Sequence, residues 1–284
     1  MASIGQLGDI VPSMRRGDFA VTQDYTEQSM DVAGTSLQVL RGGSGGPLLV
    51  LHGAGGNPGW LAYHRELAKH FTVYAPSHPG YGQSGRLDWI STINDMAHFY
   101  RRFVEESGLA PVHLLGSSMG GWLAAEIAAM CPPYVRSLVL VDAAGIKPEA
   151  GDIAEILMVS QETAKKLRFF DPTQVPDYDT VVNRQLTPEE EAAQWRNREM
   201  TSRLCWKPYF HNPKLPAYLH GVKVPTLIVW GRQDAIIPLN CGELYQQALV
   251  NSTLHVIDRC GHSPALEKPQ EFLKVVLEFL SKRH

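Results

Sequence analysis

The chain has 284 residues, 44% hydrophobic and 19% charged, with a formal net charge of −3 at pH 7. That length suits one large α/β core or at most two small domains, and the near-neutral charge argues against a nucleic-acid binder, which would carry a basic face or tail. The cysteines Cys131, Cys205, Cys241 and Cys260 form no CxxC pair or framework spacing, which excludes a metal ribbon and a disulfide scaffold and suits a reducing compartment.

The opening MASIGQLGDIVPSMRRGDF lacks a basic stretch followed by an apolar one, so no signal peptide is read there. Residues 28–41, QSMDVAGTSLQVLR, form an expected antiparallel pair turning at Ala33-Gly34. PLLVLHG (47–53) is an almost unbroken apolar strand of the kind buried on both faces. A helical pattern (60–69), the strand FTVYAP (71–76), a second helix (92–107) and the strand VHLLG (112–116) follow. A third helix (119–130) and VRSLVLVD (135–142) complete the first half.

Between about 145 and 220 no strand signal occurs. Thr187-Pro188-Glu189-Glu190 opens a helix there: Thr187 as N-cap, Pro188 at N1, and Glu190 at N3 closing a capping box. Trp195 and Met200 ride on that helix, with Phe169, Phe170, Trp206, Tyr209 and Phe210 nearby. So many large apolar side chains inserted between two strands predict a cap over the sheet's C-terminal edge, where open α/β sheets bind ligands. A helical excursion packed only for stability would use the same residues. TLIVWG (226–231), a helix (239–249), STLHVID (252–258) and a last helix (269–282) return to the earlier rhythm.

This alternation predicts a doubly wound, mostly parallel eight-stranded sheet with an inserted helical cap. Residues 1–27 are an N-terminal segment, 28–144 and 221–284 the core, and 145–220 the cap. The longest apolar runs fall far short of a membrane span, so the expectation is a soluble cytoplasmic protein with no membrane and no nucleic-acid partner. A homodimer is left open.

Gly116-Ser117-Ser118-Met119-Gly120 fits G-x-S-x-G centred on Ser118, directly after a strand and before a helix. Such a turn strains the central residue, needs glycines where a Cβ would clash, and raises the hydroxyl at a helix N-terminus that favours negative charge. A serine hydroxyl needs a base. His262, in the loop after the last expected strand, is placed for that task, whereas His113 and His255 lie in strands and His64, His70 and His98 in or beside helices. A carboxylate must hold the imidazole. Asp234 follows TLIVWG, giving the chain order Ser118, Asp234, His262; Asp142, at the end of LVLVD, is the rival. Met119 N–H and an amide of HGAGG, Ala54 first and Gly55 second, would meet charge on a substrate carbonyl. As a phosphate cradle HGAGG lacks the lysine and the G-x-G-x-x-G that such loops carry.

HGAGG, SHPGYGQSG, GSSMGG, WGRQDAIIP and CGHSPALEKP, in that order, resemble the α/β-hydrolase superfamily from about residue 28 to 282. The resemblance implies the α/β-hydrolase fold, Ser118 as nucleophile, His262 as base, Asp234 as acid, and Ala54 and Met119 as oxyanion donors. SHPGYGQSG (77–85) matches a loop that braces the family's site. A serine at the elbow disfavours haloalkane dehalogenases and epoxide hydrolases, which use aspartate.

Within the superfamily the chain is similar to carboxylesterases, enol-lactonases and meta-cleavage-product C–C hydrolases. CGH and the cap resemble the last group, while Ser263 stands where those enzymes have an aromatic residue and Ser117 where they have asparagine. The expected activity is hydrolysis of small to medium carboxylic esters or lactones through an acyl-enzyme. C–C bond hydrolysis and cofactor-free perhydrolysis of the haloperoxidase kind are the alternatives, and a non-catalytic binding protein is the reading from another class. No metal, nucleotide or organic cofactor is expected. Gly55, Trp195 and Trp206 are the expected substrate contacts, and Arg184, Arg196 or Arg198 could receive a substrate carboxylate.

Overall fold

A computed structural model describes residues 24–130, 132–176 and 178–283; the opening stretch 1–19, Cys131 and His284 lie outside the described residues. Strands β1 (Tyr25–Val32) and β2 (Thr35–Gly42) pair antiparallel, with Val32 opposite Thr35. Ala33 and Gly34 between them both have positive φ, 52° and 80°, the two-residue hairpin geometry that matches strand twist. Then come β3 (Pro47–Leu51), α1 (Ala62–Leu67), β4 (Thr72–Pro76), α2 (Ile93–Glu106), β5 (Val112–Ser117), α3 (Met119–Met130) and β6 (Val135–Val141). Four helices lie between β6 and the next strand: α4 (Gln161–Arg168), α5 (Tyr178–Val181), α6 (Pro188–Cys205) and α7 (Leu215–Leu219). The chain ends with β7 (Thr226–Gly231), α8 (Leu239–Ala248), β8 (Ser252–Ile257), α9 (Pro264–Glu267) and α10 (Pro269–Ser281).

The eight strands form one sheet in the order β1-β2-β4-β3-β5-β6-β7-β8. β1–β2 and β2–β4 are antiparallel and every other pair is parallel. Strand order reverses between β3 and β5, so the loops leaving their C-terminal ends diverge and open a crevice. Alternate side chains of the central strands feed two cores. Leu49, Leu114, Leu138, Leu140 and Ile228 pack with α2, α3 and α8 on one face. Leu48, Leu115, Val139, Val141 and Val229 pack with α1 and α10 on the other. Burial on both faces is why these strands carry no polar alternation.

The box at the head of α6 is formed as its sequence requires: Glu190 N–H donates to Thr187 Oγ1 (3.3 Å) and Thr187 N–H to Glu190 Oε2 (2.9 Å). The Arg184 guanidinium, and then those bonds, hold Glu190 down at about 2. The buried face of α6 carries Asn197, Met200, Thr201, Leu204 and Cys205, a run of positions three and four apart. α7 packs Leu215 and Leu219 into the α3–α8 core. Among the described residues no helix is long and apolar enough to cross a membrane.

Candidate active site

Ser118 links β5 to α3 with φ +56°, a left-handed conformation that costs about 1–3 kcal/mol in a residue with a Cβ. Its surroundings enforce it. Ser118 N–H donates to Val141 O (2.9 Å), and its carbonyl accepts from Gly121 (3.0 Å), Trp122 and Ala144 (both 3.1 Å). A Cβ at Gly116 would lie 2.1 Å from Gly120 O, and one at Gly120 2.2 Å from Leu51 O. The two glycines therefore let strand, turn and helix close on each other. Trp122 is buried and donates to Glu126 Oε1 (3.0 Å), packed away from the turn.

β5, β6, β7 and β8 lie side by side, and their C-terminal ends lead to Ser118, Asp142, Asp234 and His262. Asp234 Oδ2 accepts from His262 Nδ1 at 2.7 Å, and its Oδ1 accepts from Ile236 N–H (2.7 Å) and Ile237 N–H (2.9 Å). The pair is enclosed, with the two side chains 0% and 8% exposed. His262 N–H donates to Arg168 O (2.7 Å), and Glu267 Oε1 accepts Gly261 N–H (2.9 Å). With Nδ1–H committed to the carboxylate, Nε2 is left as the basic nitrogen. No bond from His262 to the Ser118 hydroxyl is closed among the described residues, and such contacts commonly tighten only with substrate bound.

Asp142 plays a different part. Its Oδ1 accepts from Gly231 N–H (2.8 Å), while its buried Oδ2 has no partner. Burial first, then the negative charge of Asp234, pushes its pKa well above its ordinary value, which disfavours the charged form. Asp142, Asp234 and His262 bring potential ligand atoms within 4.8 Å. Both oxygens of Asp234 and the Nδ1 of His262 are, however, already engaged with one another and with the two amides.

The loop after β3 passes over Ser118: a Cβ at Gly53 would lie 3.1 Å from Ser118 Cβ and 3.6 Å from its Oγ. His52 Nδ1 lies 2.8 Å from Gly53 O and its Nε2 accepts from His78 N–H (3.0 Å), which fixes the proton on Nδ1. His78 in turn donates from Nε2 to His52 O (3.0 Å) and accepts Tyr100 O–H on Nδ1 (2.6 Å). Burial holds His52 down at about 4 and His78 well below its ordinary value, so both rings are neutral. Ala54 N–H has no acceptor among the described residues. Met119 opens α3, so its N–H lacks an intrahelical partner. Both amides are thus without a backbone partner among the described residues, one in the loop that passes over Ser118 and the other in the residue that follows it.

The expected substrate contacts fare differently. Gly55 is exposed and turns its carbonyl to Asn197 Nδ2 (3.0 Å). Trp195 and Trp206 are 67% and 52% exposed; α6 buries Asn197, Met200, Thr201, Leu204 and Cys205 and leaves Trp195 and the flanking Trp206 to solvent, so these indoles build no enclosed wall. Arg184 pairs with Glu190, Arg196 donates to Gly82 O (3.2 Å), and Arg198 to Leu157 O (2.6 Å). Each thus has a protein acceptor already. Sequence reasoning passed over Asn197 and Thr201, although two polar residues four apart interrupting the Met200–Leu204 stripe signal a buried polar contact.

Comparison with known proteins identifies the family. A model of the alpha/beta hydrolase family matches residues 48–275. A 2-hydroxy-6-oxononadienedioate/2-hydroxy-6-oxononatrienedioate hydrolase from Burkholderia vietnamiensis is 30% identical over 291 residues, covering 92% of this chain and 98% of its own. A monoacylglycerol lipase from Mus musculus is 27% identical, covering 84% of this chain and 76% of its own. The crystal structure of a membrane phospholipase A superposes with a TM-score of 0.76 at 26% identity, over 91% of this chain and 86% of that one. A serine elbow at a strand-order switch, an enclosed Asp–His pair at the same edge of the sheet and a match across most of the sequence converge: the chain is a hydrolase of the alpha/beta hydrolase family.

Proposed function

We propose that this hydrolase works through an acyl-enzyme on Ser118 and that its substrate is a 2-hydroxy-6-oxo dienoic acid, cleaved at a carbon–carbon bond. The observation that carries the mechanism is the 2.7 Å bond from His262 Nδ1 to Asp234, in loops at the same C-terminal edge of the sheet as Ser118. The substrate class rests on the Burkholderia relative, which matches over nearly the full length of both chains.

In this reading His262 Nε2 takes the Ser118 proton as Oγ attacks the ketone carbon, and the Ala54 and Met119 amides receive the developing oxyanion. With the 2-hydroxy-diene first tautomerised to its 2-keto form, its hydroxyl proton having moved to the carbon next to the ketone, the bond to that carbon breaks and its electron pair spreads over the conjugated keto-acid. That carbon takes the proton from His262. Water, deprotonated by His262, then releases the acyl group as a carboxylic acid. Asp234 keeps the imidazole in the required tautomer and offsets its transient charge. Segment 145–220 serves as a cap.

Esters or lactones are the second reading. Ser263, where the C–C enzymes have an aromatic residue, is buried and accepts a bond from Arg168 Nε (2.6 Å), so the wall beside His262 is polar. The test is to treat the protein with a fluorophosphonate, map the adduct, and compare a ring-fission dienoate with a panel of p-nitrophenyl esters. The expected result is an adduct on Ser118 and a kcat/KM for the dienoate on the order of 10²-fold above the esters. The reverse ranking assigns an esterase, and a missing adduct overturns the mechanism.

A further inference from the structure

We propose that Thr201 and Asn197 of α6 are positioning residues for the oxyanion hole, clamping the loop that presents Ala54 N–H; this rests on the serine-hydrolase reading above. Three successive carbonyls of the loop each accept one side-chain hydrogen bond. Gly53 O takes His52 Nδ1 (2.8 Å), Ala54 O takes Thr201 Oγ1 (2.8 Å), and Gly55 O takes Asn197 Nδ2 (3.0 Å). Each carbonyl fixes the plane of its peptide unit. The first of these units carries Ala54 N–H itself, and the next two decide whether the glycine-rich loop can swing. His52 belongs to the core of the sheet edge. The other two donors come from α6, about 145 residues later in the sequence and one helical turn apart.

The clamp reaches the second oxyanion donor as well. Thr201 Oγ1 gives its proton to Ala54 O and so accepts from Tyr81 O–H (2.8 Å), and that phenol oxygen lies 3.4 Å from Met119 Sδ. Asn197 uses its other end too, accepting Gly82 N–H on Oδ1 (2.9 Å). Gly56 makes the approach available: it has φ +94°, and a Cβ there would lie 2.1 Å from Asn197 Nδ2.

Packing alone does not account for these residues. Thr201 is wholly buried and Asn197 is 7% exposed, on a face shared with Met200 and Leu204. An apolar side chain would fill that face without the desolvation that a buried amide and hydroxyl incur. Their polar atoms are instead spent on consecutive loop carbonyls. Since an oxyanion donor acts only within a few tenths of an ångström of its place, docking of α6 and competence of the site become one event.

The experiment compares Thr201→Val, which keeps the shape and loses the hydroxyl, with Thr201→Ser, which restores it, and with Leu204→Ala, which loosens the same helix face but leaves all three donors. Readouts are kcat, KM, the rate of fluorophosphonate labelling at Ser118, and Tm. Thr201→Val should lower kcat and labelling about 10- to 100-fold with KM within about threefold. Thr201→Ser should recover most of that loss, and Leu204→Ala should lower Tm with far less effect on labelling. Asn197→Asp, which sets a carboxylate oxygen in place of the donor to Gly55 O and keeps an acceptor for Gly82 N–H, should slow labelling about tenfold and carries the test if Thr201→Val does not fold. Equal loss in Thr201→Val and Leu204→Ala, no rescue by serine, or labelling unchanged in Thr201→Val and Asn197→Asp overturns the proposal. Failure of the wild-type protein to label at Ser118 would instead strike the serine-hydrolase reading.

Discussion

Asp234 divides its two carboxylate oxygens: one accepts the His262 imidazole at 2.7 Å, the other the amides of Ile236 and Ile237. The side chain therefore has one orientation, and the imidazole it holds has one tautomer. Asp234→Asn should lower kcat on the order of 10³- to 10⁴-fold, because an amide can present a donor to Nδ1 and turn the ring's proton to the wrong nitrogen. Asp142 is the informative control. Burial disfavours its charged form, and an amide oxygen can still accept the Gly231 N–H that it holds, so Asp142→Asn should cost less than about tenfold. Steady-state kinetics decides; the reverse ranking would move the acid to the end of β6.

The positive φ of Ser118 makes a prediction about stability as well as activity. Ser118→Ala and Ser118→Gly should both lose turnover by several orders of magnitude, since neither has a nucleophile. They should differ in urea midpoint. Glycine relieves the left-handed strain that alanine retains, so it should be more stable than Ser118→Ala by about 1 kcal/mol. Ser117→Ala, in the last position of β5, should keep most of the activity. Equal midpoints for the two Ser118 variants would mean that the turn holds no strain.

Much of this was legible in the chain because the signals are local. The unbroken apolar strands, the glycines around Ser118, the capping box at Thr187 and the hairpin at Ala33-Gly34 each follow from a few adjacent residues. Asp234 and His262 were legible for another reason: in a doubly wound sheet, chain order fixes which loops share an edge. What was not legible depends on which way a helix faces. Trp195 resembled a pocket wall from its size, yet α6 turns it to solvent and buries Asn197. The contact of Thr201 with Ala54 spans 147 positions, and no local pattern reports it. Substrate identity was the least legible feature. Esters were the first expectation, whereas the Burkholderia relative is named for a 2-hydroxy-6-oxo acid; one elbow serves both, since chemistry at a carbonyl asks the same of a serine, an imidazole and two amides.

Gly120 tests the closeness of the packing under the elbow. A Cβ there would meet Leu51 O at 2.2 Å and His52 O at 2.5 Å, both backbone atoms of the strand that leads into the oxyanion loop. Neither can retreat without breaking sheet bonds. Gly120→Ala should therefore cost about 3 kcal/mol or more and reduce labelling of Ser118 in whatever protein remains folded. A urea melt with m unchanged and the midpoint within experimental error of wild type would show that strand and helix can part at little cost.

Acid should unfold this protein through three buried histidines. His52, His64 and His78 each use one ring nitrogen as an acceptor, from His78 N–H, Leu61 N–H and Tyr100 O–H respectively. Protonation would set two hydrogens against each other at the two amide contacts and reverse the bond with the Tyr100 hydroxyl. Burial holds His52 at about 4, His64 at about 3 and His78 well below its ordinary 6.5. Folded-state values thus lie below the unfolded value, so between about pH 4 and 6.5 the unfolded chain binds more protons than the folded one. Stability from this source is complete above pH 6.5 and is lost as pH falls toward the folded-state values. Near pH 5 His52 and His64 give a slope of up to about 2.7 kcal/mol per pH unit and His78 adds to it in the same direction, so the loss across this window is a large fraction of a typical domain's 5–15 kcal/mol. Urea melts at pH 7, 6 and 5 measure the slope. His64→Asn, whose side-chain oxygen can still accept Leu61 N–H, should reduce it by about 1.4 kcal/mol per unit; an unchanged slope would show that His64 takes up its proton while folded.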